Sequence, residues 1–160
     1  MDLAEAFGAH APRVFTYFRR MGLPRDGAAD LAQETFLRAI RAAPRYRGEA
    51  PVETWILGIA RNVFREWLRA RRDHGEPFPP DADGSESRAA GPPPDEPSTE
   101  RLDVERALAR LDSEHREVLV LRFVLDLSGE EVAALLGISH DAVRQRVARA
   151  KGEFRRLWGA

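Results

Sequence analysis

The chain has 160 residues, of which 43% are hydrophobic and 32% charged; it has no cysteine and a net charge of −1. That is enough for one ordinary domain or two small ones with modest cores, and the missing cysteine excludes disulfides, cysteine metal sites and thiol catalysis. No basic-then-apolar start is present and no apolar run exceeds the five residues Val132 to Leu136, so a cytoplasmic protein is expected, neither secreted nor inserted in a membrane.

The near-neutral total hides an uneven distribution. Residues 1–72 carry 13 Lys+Arg against 8 Asp+Glu, residues 73–100 carry 1 against 8, and residues 101–160 carry 11 against 10, with 6 against 2 from residue 140 onward. Two basic surfaces therefore flank an acidic connector, a pattern that suits contacts with nucleic acid at two places.

Leu3, Phe7, Val14, Phe15 and Phe18 predict a first helix from about Asp2 to Met21, broken by Gly22-Leu23-Pro24. Asp26 is placed to cap a second helix running to about Ala43. Its apolar positions are Ala28, Leu31, Ala32, Phe36, Leu37, Ala39 and Ile40, with Asp30, Gln33, Glu34 and Arg38 forming a polar strip beside them. Pro44 ends it, and Arg45 to Pro51 reads as a loop. A third helix, roughly Val52 to Arg72, offers Trp55, Ile56, Ile59, Ala60, Val63 and Trp67 to a core, while Arg61, Arg65, Arg69 and Arg72 recur as a positive stripe. Tyr46 and Trp55 lie just upstream of that stripe. Bases of an unpaired strand would stack on such rings while phosphates meet the arginines; the bland reading is core aromatics beside a solvated face.

Residues 73–100 hold seven prolines, three glycines and eight acids, and are expected to be a disordered linker. Such a segment spans about 30 Å as a random coil and up to roughly 90 Å extended. Its acidity would discourage it from folding onto DNA; otherwise it is a passive spacer.

From Arg101 the helical pattern returns at Leu102, Ala107, Leu108 and Leu111, and Ser113 is placed to cap the helix that carries Val118, Leu119, Leu121, Phe123 and Val124. Ser128 then opens a short helix, with Glu131 three residues on to complete a capping box. Gly137 supplies the left-handed stop, Ile138 packs inward, and Ser139 caps a last helix. On that helix Val143, Val147, Ala150 and Phe154 share one face, leaving Arg144, Gln145, Arg146, Arg149 and Lys151 off it. Arg is suited to guanine and Gln to adenine in a major groove, so the spacing fits a DNA-binding helix-turn-helix. The alternative is an antiparallel helix pair with a solvated basic face. With no strand pattern and no repeat, the expected fold is all-α: two small helical domains, 1–72 and 101–160, joined by the flexible linker 73–100.

Three stretches carry a family resemblance. Asp30-Leu31-Ala32-Gln33-Glu34-Thr35-Phe36-Leu37-Arg38-Ala39 resembles the core-polymerase-binding helix of bacterial sigma factors. Tyr46-Arg47-Gly48, followed by Thr54-Trp55-Ile56-Leu57-Gly58-Ile59-Ala60-Arg61-Asn62, is similar to the family's promoter −10 region. Leu108 to Leu121 and Leu127 to Arg156 resemble its region 4, and the absence of the large intermediate regions places the likeness with the extracytoplasmic-function (ECF) group.

The resemblance implies a protein that is not an enzyme and needs no cofactor or metal. It implies core RNA polymerase (β′ clamp and β flap) and promoter DNA as partners, with an anti-sigma factor as a further candidate. Asp30, Gln33, Glu34, Phe36 and Ile40 would meet the β′ clamp. Tyr46, Arg47 and Trp55 would form or support the loop that captures a flipped −10 base, with Arg61, Asn62, Arg65 and Arg69 on the backbone or adjoining bases. His140, Asp141, Arg144, Gln145, Arg146 and Arg149 would read or grip the −35 element. The chain departs from the family at Pro51 and Val52, where a polar residue and an aromatic are usual, at Ala142 in place of a common Thr, and at His140-Asp141. A stand-alone helix-turn-helix regulator is the alternative, but it gives the Asp30–Ile40 strip and the Trp55 helix no role. For an enzyme there is no phosphate loop or metal cluster, and His10, His74, His115 and His140 are scattered along the chain.

Overall fold

Seven α-helices and no strand make up the described residues, 2–75 and 99–158, of the computed structural model. They are α1 (Leu3–Arg20), α2 (Arg25–Ala42), α3 (Val52–Asp73), α4 (Thr99–Arg110), α5 (Ser113–Leu119), α6 (Gly129–Leu136) and α7 (His140–Trp158). The chain divides into two compact units, one built on α1–α3 and the other on α4–α7. Most of the expected linker lies outside the described residues; its two ends are helical, since α3 continues to Asp73 and α4 starts at Thr99.

In the first unit, Val14, Tyr17 and Phe18 of α1, Ala28 and Ala39 of α2, and Ile56, Leu57, Ala60 and Phe64 of α3 are buried. Ring contacts bind the layers: Tyr17 meets Phe64 edge-on at 6.2 Å, and Phe7 meets Phe36 at 4.6 Å. Thr35 is buried on the inner face of α2 because its hydroxyl donates to the Leu31 carbonyl at 2.7 Å and so leaves no unmet donor. Two ion-pair groups tie the helices outside the core. Arg13 of α1 pairs with Glu53 in the first turn of α3, where a carboxylate also complements the helix dipole. Arg38 of α2 meets Glu34 at 2.9 Å and Glu66 of α3 at 2.6 Å.

Some of the sequence expectations shift by a position or two. Pro24, not Asp26, precedes α2, and no side chain caps that helix; proline's fixed φ is compatible with the approach to a helix, and Asp26 lies within its first turn. On α3 the buried face contains Thr54, Leu57 and Phe64, whereas Trp55, Ile59 and Trp67 are only half-buried. The bulky indoles lie at the rim: Trp55 is covered by Tyr46, and Trp67 lies between Phe64 and the Arg71 guanidinium, 4.8 Å from its ring.

In the second unit Ala107 and Leu108 of α4, Val118 and Leu119 of α5, Val132 of α6, and Val143 and Ala150 of α7 are buried. Asp112, rather than Ser113, caps α5 by accepting the His115 amide at 2.9 Å. A π-turn over Val120–Val124 follows, with the Leu125 amide donating to the Val120 carbonyl at 2.9 Å. This wider turn rotates Phe123 outward, to 47% exposure, where Arg122 and Lys151 lie 5.3 Å and 4.8 Å from its ring. Asp126 then takes a left-handed φ of 55°, which aspartate tolerates better than most residues.

Because α3 buries Phe64 and leaves Trp67 at the rim, Phe64→Ala is expected to cost about 3–5 kcal/mol in the urea unfolding of the first unit. Trp67→Ala should cost clearly less, and equal losses would contradict the observed face of α3.

Candidate functional site

Three surfaces gather the charged and exposed side chains, each within a single unit. The first is on α2. At about 100° per residue, Asp30, Gln33, Leu37, Ile40 and Arg41 fall within an arc of about 100°, and all are exposed. Leu37 and Ile40 are 42% and 46% exposed, which places two large apolar groups on an otherwise polar strip. Glu34 and Arg38 lie half-buried at its edge. Donation from Arg38 holds the Glu66 carboxyl below its usual range, and the bonds Arg38 makes to the accepting Glu66 and Glu34 carboxylates raise its guanidinium further.

The second surface is built by the 46–51 turn and α3. Gly48 has a φ of 77°, which permits the reversal, and the Tyr46 hydroxyl donates to the Ala50 carbonyl to close the turn. The Tyr46 and Trp55 rings meet at 4.7 Å with 32° between their planes, and both remain half-exposed. Arg47 projects from the tip of the turn into solvent. Along α3, Arg61, Arg65, Arg69 and Arg72 lie within about 80° of one another, with Asn62 beside them; Arg61 is half-buried and the others are exposed.

The third surface is α7, delivered by α6. Ser128 Oγ accepts the Glu131 amide at 3.1 Å while Glu131 accepts the Ser128 amide at 3.2 Å, the reciprocal capping box. Gly137 closes α6 with φ 69°, and Ser139 caps α7 by accepting the Ala142 amide at 3.0 Å. Val143 and Ala150 are buried, Val147 and Phe154 half-buried. Opposite that stripe lie Asp141, Gln145, Ala148, Arg149 and Gly152, with Arg144 exposed on one flank and Arg146 half-buried on the other. Ala148 and Gly152 keep the outer face low, so this helix can approach a partner's backbone closely. Arg144 donates to Asp141, and that bond holds the Asp141 carboxyl below the usual aspartate range.

Comparison with known proteins follows this division. Residues 6–74 match the family description Sigma-70 region 2, and residues 101–153 match Sigma-70, region 4. The RNA polymerase sigma factor CarQ of Myxococcus xanthus is 37% identical over 155 residues, 97% of this chain and 88% of that protein. The ECF RNA polymerase sigma factor SigE of Mycolicibacterium smegmatis is 32% identical over 155 residues, 91% of this chain and 57% of that protein. The chain belongs to the extracytoplasmic-function group of RNA polymerase sigma factors. Among solved structures, the sigma factor RpoE of Bartonella quintana, crystallised with the anti-sigma factor NepR, superposes with a TM-score of 0.79 at 25% identity, covering 99% of this chain and 98% of that one.

As a sigma factor the protein directs promoter-specific transcription initiation. The structure brings Asp30, Gln33 and Ile40 onto one exposed strip, but Phe36 turns inward onto Phe7. Leu37, which the sequence placed among the apolar positions of α2, faces solvent beside Ile40; its i+4 spacing from Gln33 was the available signal. Tyr46 and Trp55 come together, and Arg61, Asn62, Arg65 and Arg69 continue along the same helix. His140, Asp141, Arg144, Gln145 and Arg149 are all exposed on α7, and Arg146 is partly covered. Ala148 and Gly152, silent in the sequence, are exposed on the same face as Gln145 and Arg149.

The Asp141–Arg144 pair gives a pH test. Asp141 titrates lower folded than unfolded, so the pair's contribution is present above the ordinary aspartate range and is lost as pH falls through the lowered value. In an NMR titration the Asp141 carboxyl should titrate below the ordinary value of about 3.9, and Arg144→Ala should return it there. An unchanged titration in that variant would show that Arg144 is not the cause.

Proposed function

We propose that this sigma factor docks on core RNA polymerase through α2, engages the −10 element with the 46–51 turn and α3, and reads the −35 element with α7. The observation that carries this reading is the outward face of α7. A helix held by two side-chain caps and a left-handed glycine presents Gln145 and Arg149 around the small Ala148 and Gly152, a profile that fits a major groove about 12 Å wide.

On α2 the contact with the β′ clamp is made by Asp30, Gln33, Glu34 and Ile40, to which Leu37 is added. Phe36 serves that contact from behind, by anchoring α2 on Phe7. The two exposed apolar side chains supply burial, and the polar neighbours supply orientation. At the second surface a flipped base has the half-exposed Tyr46–Trp55 pair to stack on, and the Arg61–Arg72 stripe meets phosphates. The −35 contacts fall to His140, Asp141, Arg144, Gln145, Arg146 and Arg149, with Arg144 exchanging its bond to Asp141 for one to DNA.

The protein works by binding rather than catalysis, in the cytoplasm where its polymerase acts. No helix among the described residues is long and apolar enough to cross a membrane. Since the similar RpoE of Bartonella quintana was crystallised with an anti-sigma factor, an anti-sigma partner is also assigned to this chain.

The direct test is run-off transcription with purified core polymerase on fragmented DNA from the source organism. Discrete transcripts that require the protein are expected, with two shared upstream elements. No transcripts and no association with core on gel filtration would favour a stand-alone regulator. Leu37→Asp with Ile40→Asp should weaken core binding more than about tenfold while helix content is kept, and Asp30→Arg with Gln33→Ala should act in the same direction; unchanged pull-down would contradict the α2 contact. Arg144→Ala with Arg149→Ala should lower transcription from −35-dependent promoters by about tenfold or more and leave core binding intact.

A further inference from the structure

Gly129 is the first residue of α6 and His140 the first residue of α7, so the two helix-turn-helix segments begin next to one another in space. A Cβ placed on Gly129 would stand 2.5 Å from His140 Nε2 and 2.9 Å from its Cδ2. Non-bonded carbon contacts settle at about 3.5–4.0 Å, so the imidazole occupies space that any side chain at 129 would claim. Helix propensity does not explain this glycine: near a helix start its φ is ordinary, and alanine is a better helix former. What the missing side chain provides is a seat for the ring.

The His140 ring enters this seat with its Nε2 edge against α6, which turns the Nδ1 edge away from it. His140 itself is exposed, so the ring has solvent to move into when the seat is filled. A substitution at Gly129 therefore displaces the ring rather than unfolding the unit. A side chain at 129 would exclude the orientation the ring takes here, and the ring would have to adopt another.

We infer that Gly129 is a positioning residue for promoter reading, acting through His140: its bare Cα fixes the imidazole at the leading end of α7, so that position 140 meets the −35 element as a single preset ring. This rests on the assignment of α7 to the −35 element. Pre-setting a side chain removes the ordering cost that binding would otherwise carry. Gly129 contacts no base itself in this scheme. It decides which edge of His140 is presented.

The test uses the full-length protein and the variants Gly129→Ala, His140→Ala and the double variant. NMR of the His140 ring comes first, without DNA. The wild-type imidazole should show shifts displaced from those of a free histidine, and Gly129→Ala should return them towards the free values with helix content unchanged. Transcription with core polymerase on a library of −35 sequences comes second. Gly129→Ala should lose about two- to tenfold of the discrimination at one base position, the worth of one hydrogen bond, with core affinity unchanged. His140→Ala should lose discrimination at that same position, and the double variant should be no worse than either single one. A Gly129→Ala ring spectrum like the wild type would overturn the seat. A normal −35 profile in Gly129→Ala, or losses that add in the double variant, would overturn the coupling while the −35 assignment stands. A wild type indifferent to −35 sequence would overturn the assignment and the inference with it.

Discussion

A helix packed in a three- or four-helix unit can bury one stripe of side chains, and everything else it carries must face solvent or a partner. That constraint organises all three surfaces. Burying Ile56, Leu57, Ala60 and Phe64 puts the arginines of α3 outside together. Burying Ala28, Thr35 and Ala39 leaves Leu37 and Ile40 outward on α2, where small inner residues let the helix sit close to its neighbours. Burying Val143 and Ala150 turns Gln145 and Arg149 away from the unit. A sigma factor needs several large partners to reach separate faces, and single-stripe helices supply faces without enlarging the core.

Charge is distributed between structure and function by pairing. Arg38 is committed to Glu34 and Glu66, so it braces α2 against α3 beside the strip proposed to meet polymerase. Arg13 and Glu53 do the same between α1 and α3. Among the described residues Arg144 pairs with Asp141, one turn away on its own helix, with the two side chains 70% and 75% exposed, and such exposed pairs are weak and screened by salt. A guanidinium held that loosely is available to a phosphate or a base, while the one held between two helices is not.

Local geometry then aims α7. The reciprocal Ser128–Glu131 cap, the left-handed Gly137 and the Ser139 cap leave the short α6 and its turn little freedom, and the π-turn before them delivers Ser128 to its place. Arg122 reinforces that delivery by donating to the Leu127 carbonyl at 2.8 Å. The same π-turn exposes Phe123, which the two neighbouring cations partly cover. The ring of His140 on Gly129 adds a contact between the two helix starts that neither cap provides.

The sequence by itself determined the all-α class, the motif order and the helix-turn-helix, because these rest on local chemistry: a capping box is four residues long, and Gly137 answers to its own backbone angle. The charge count and the apolar spacing likewise marked the arginine stripe on α3 and the polar side of α7. Only the tertiary structure decided which of several apolar residues on one helix reached the core. Trp55 and Trp67 lost that place to Leu57 and Phe64, and Phe36 turned inward while Leu37 did not, because a few tens of degrees of helix rotation are set by neighbours distant in sequence. The seat of His140 on Gly129 was illegible for a further reason: it depends on an empty Cβ position that acquires meaning only when two segments meet.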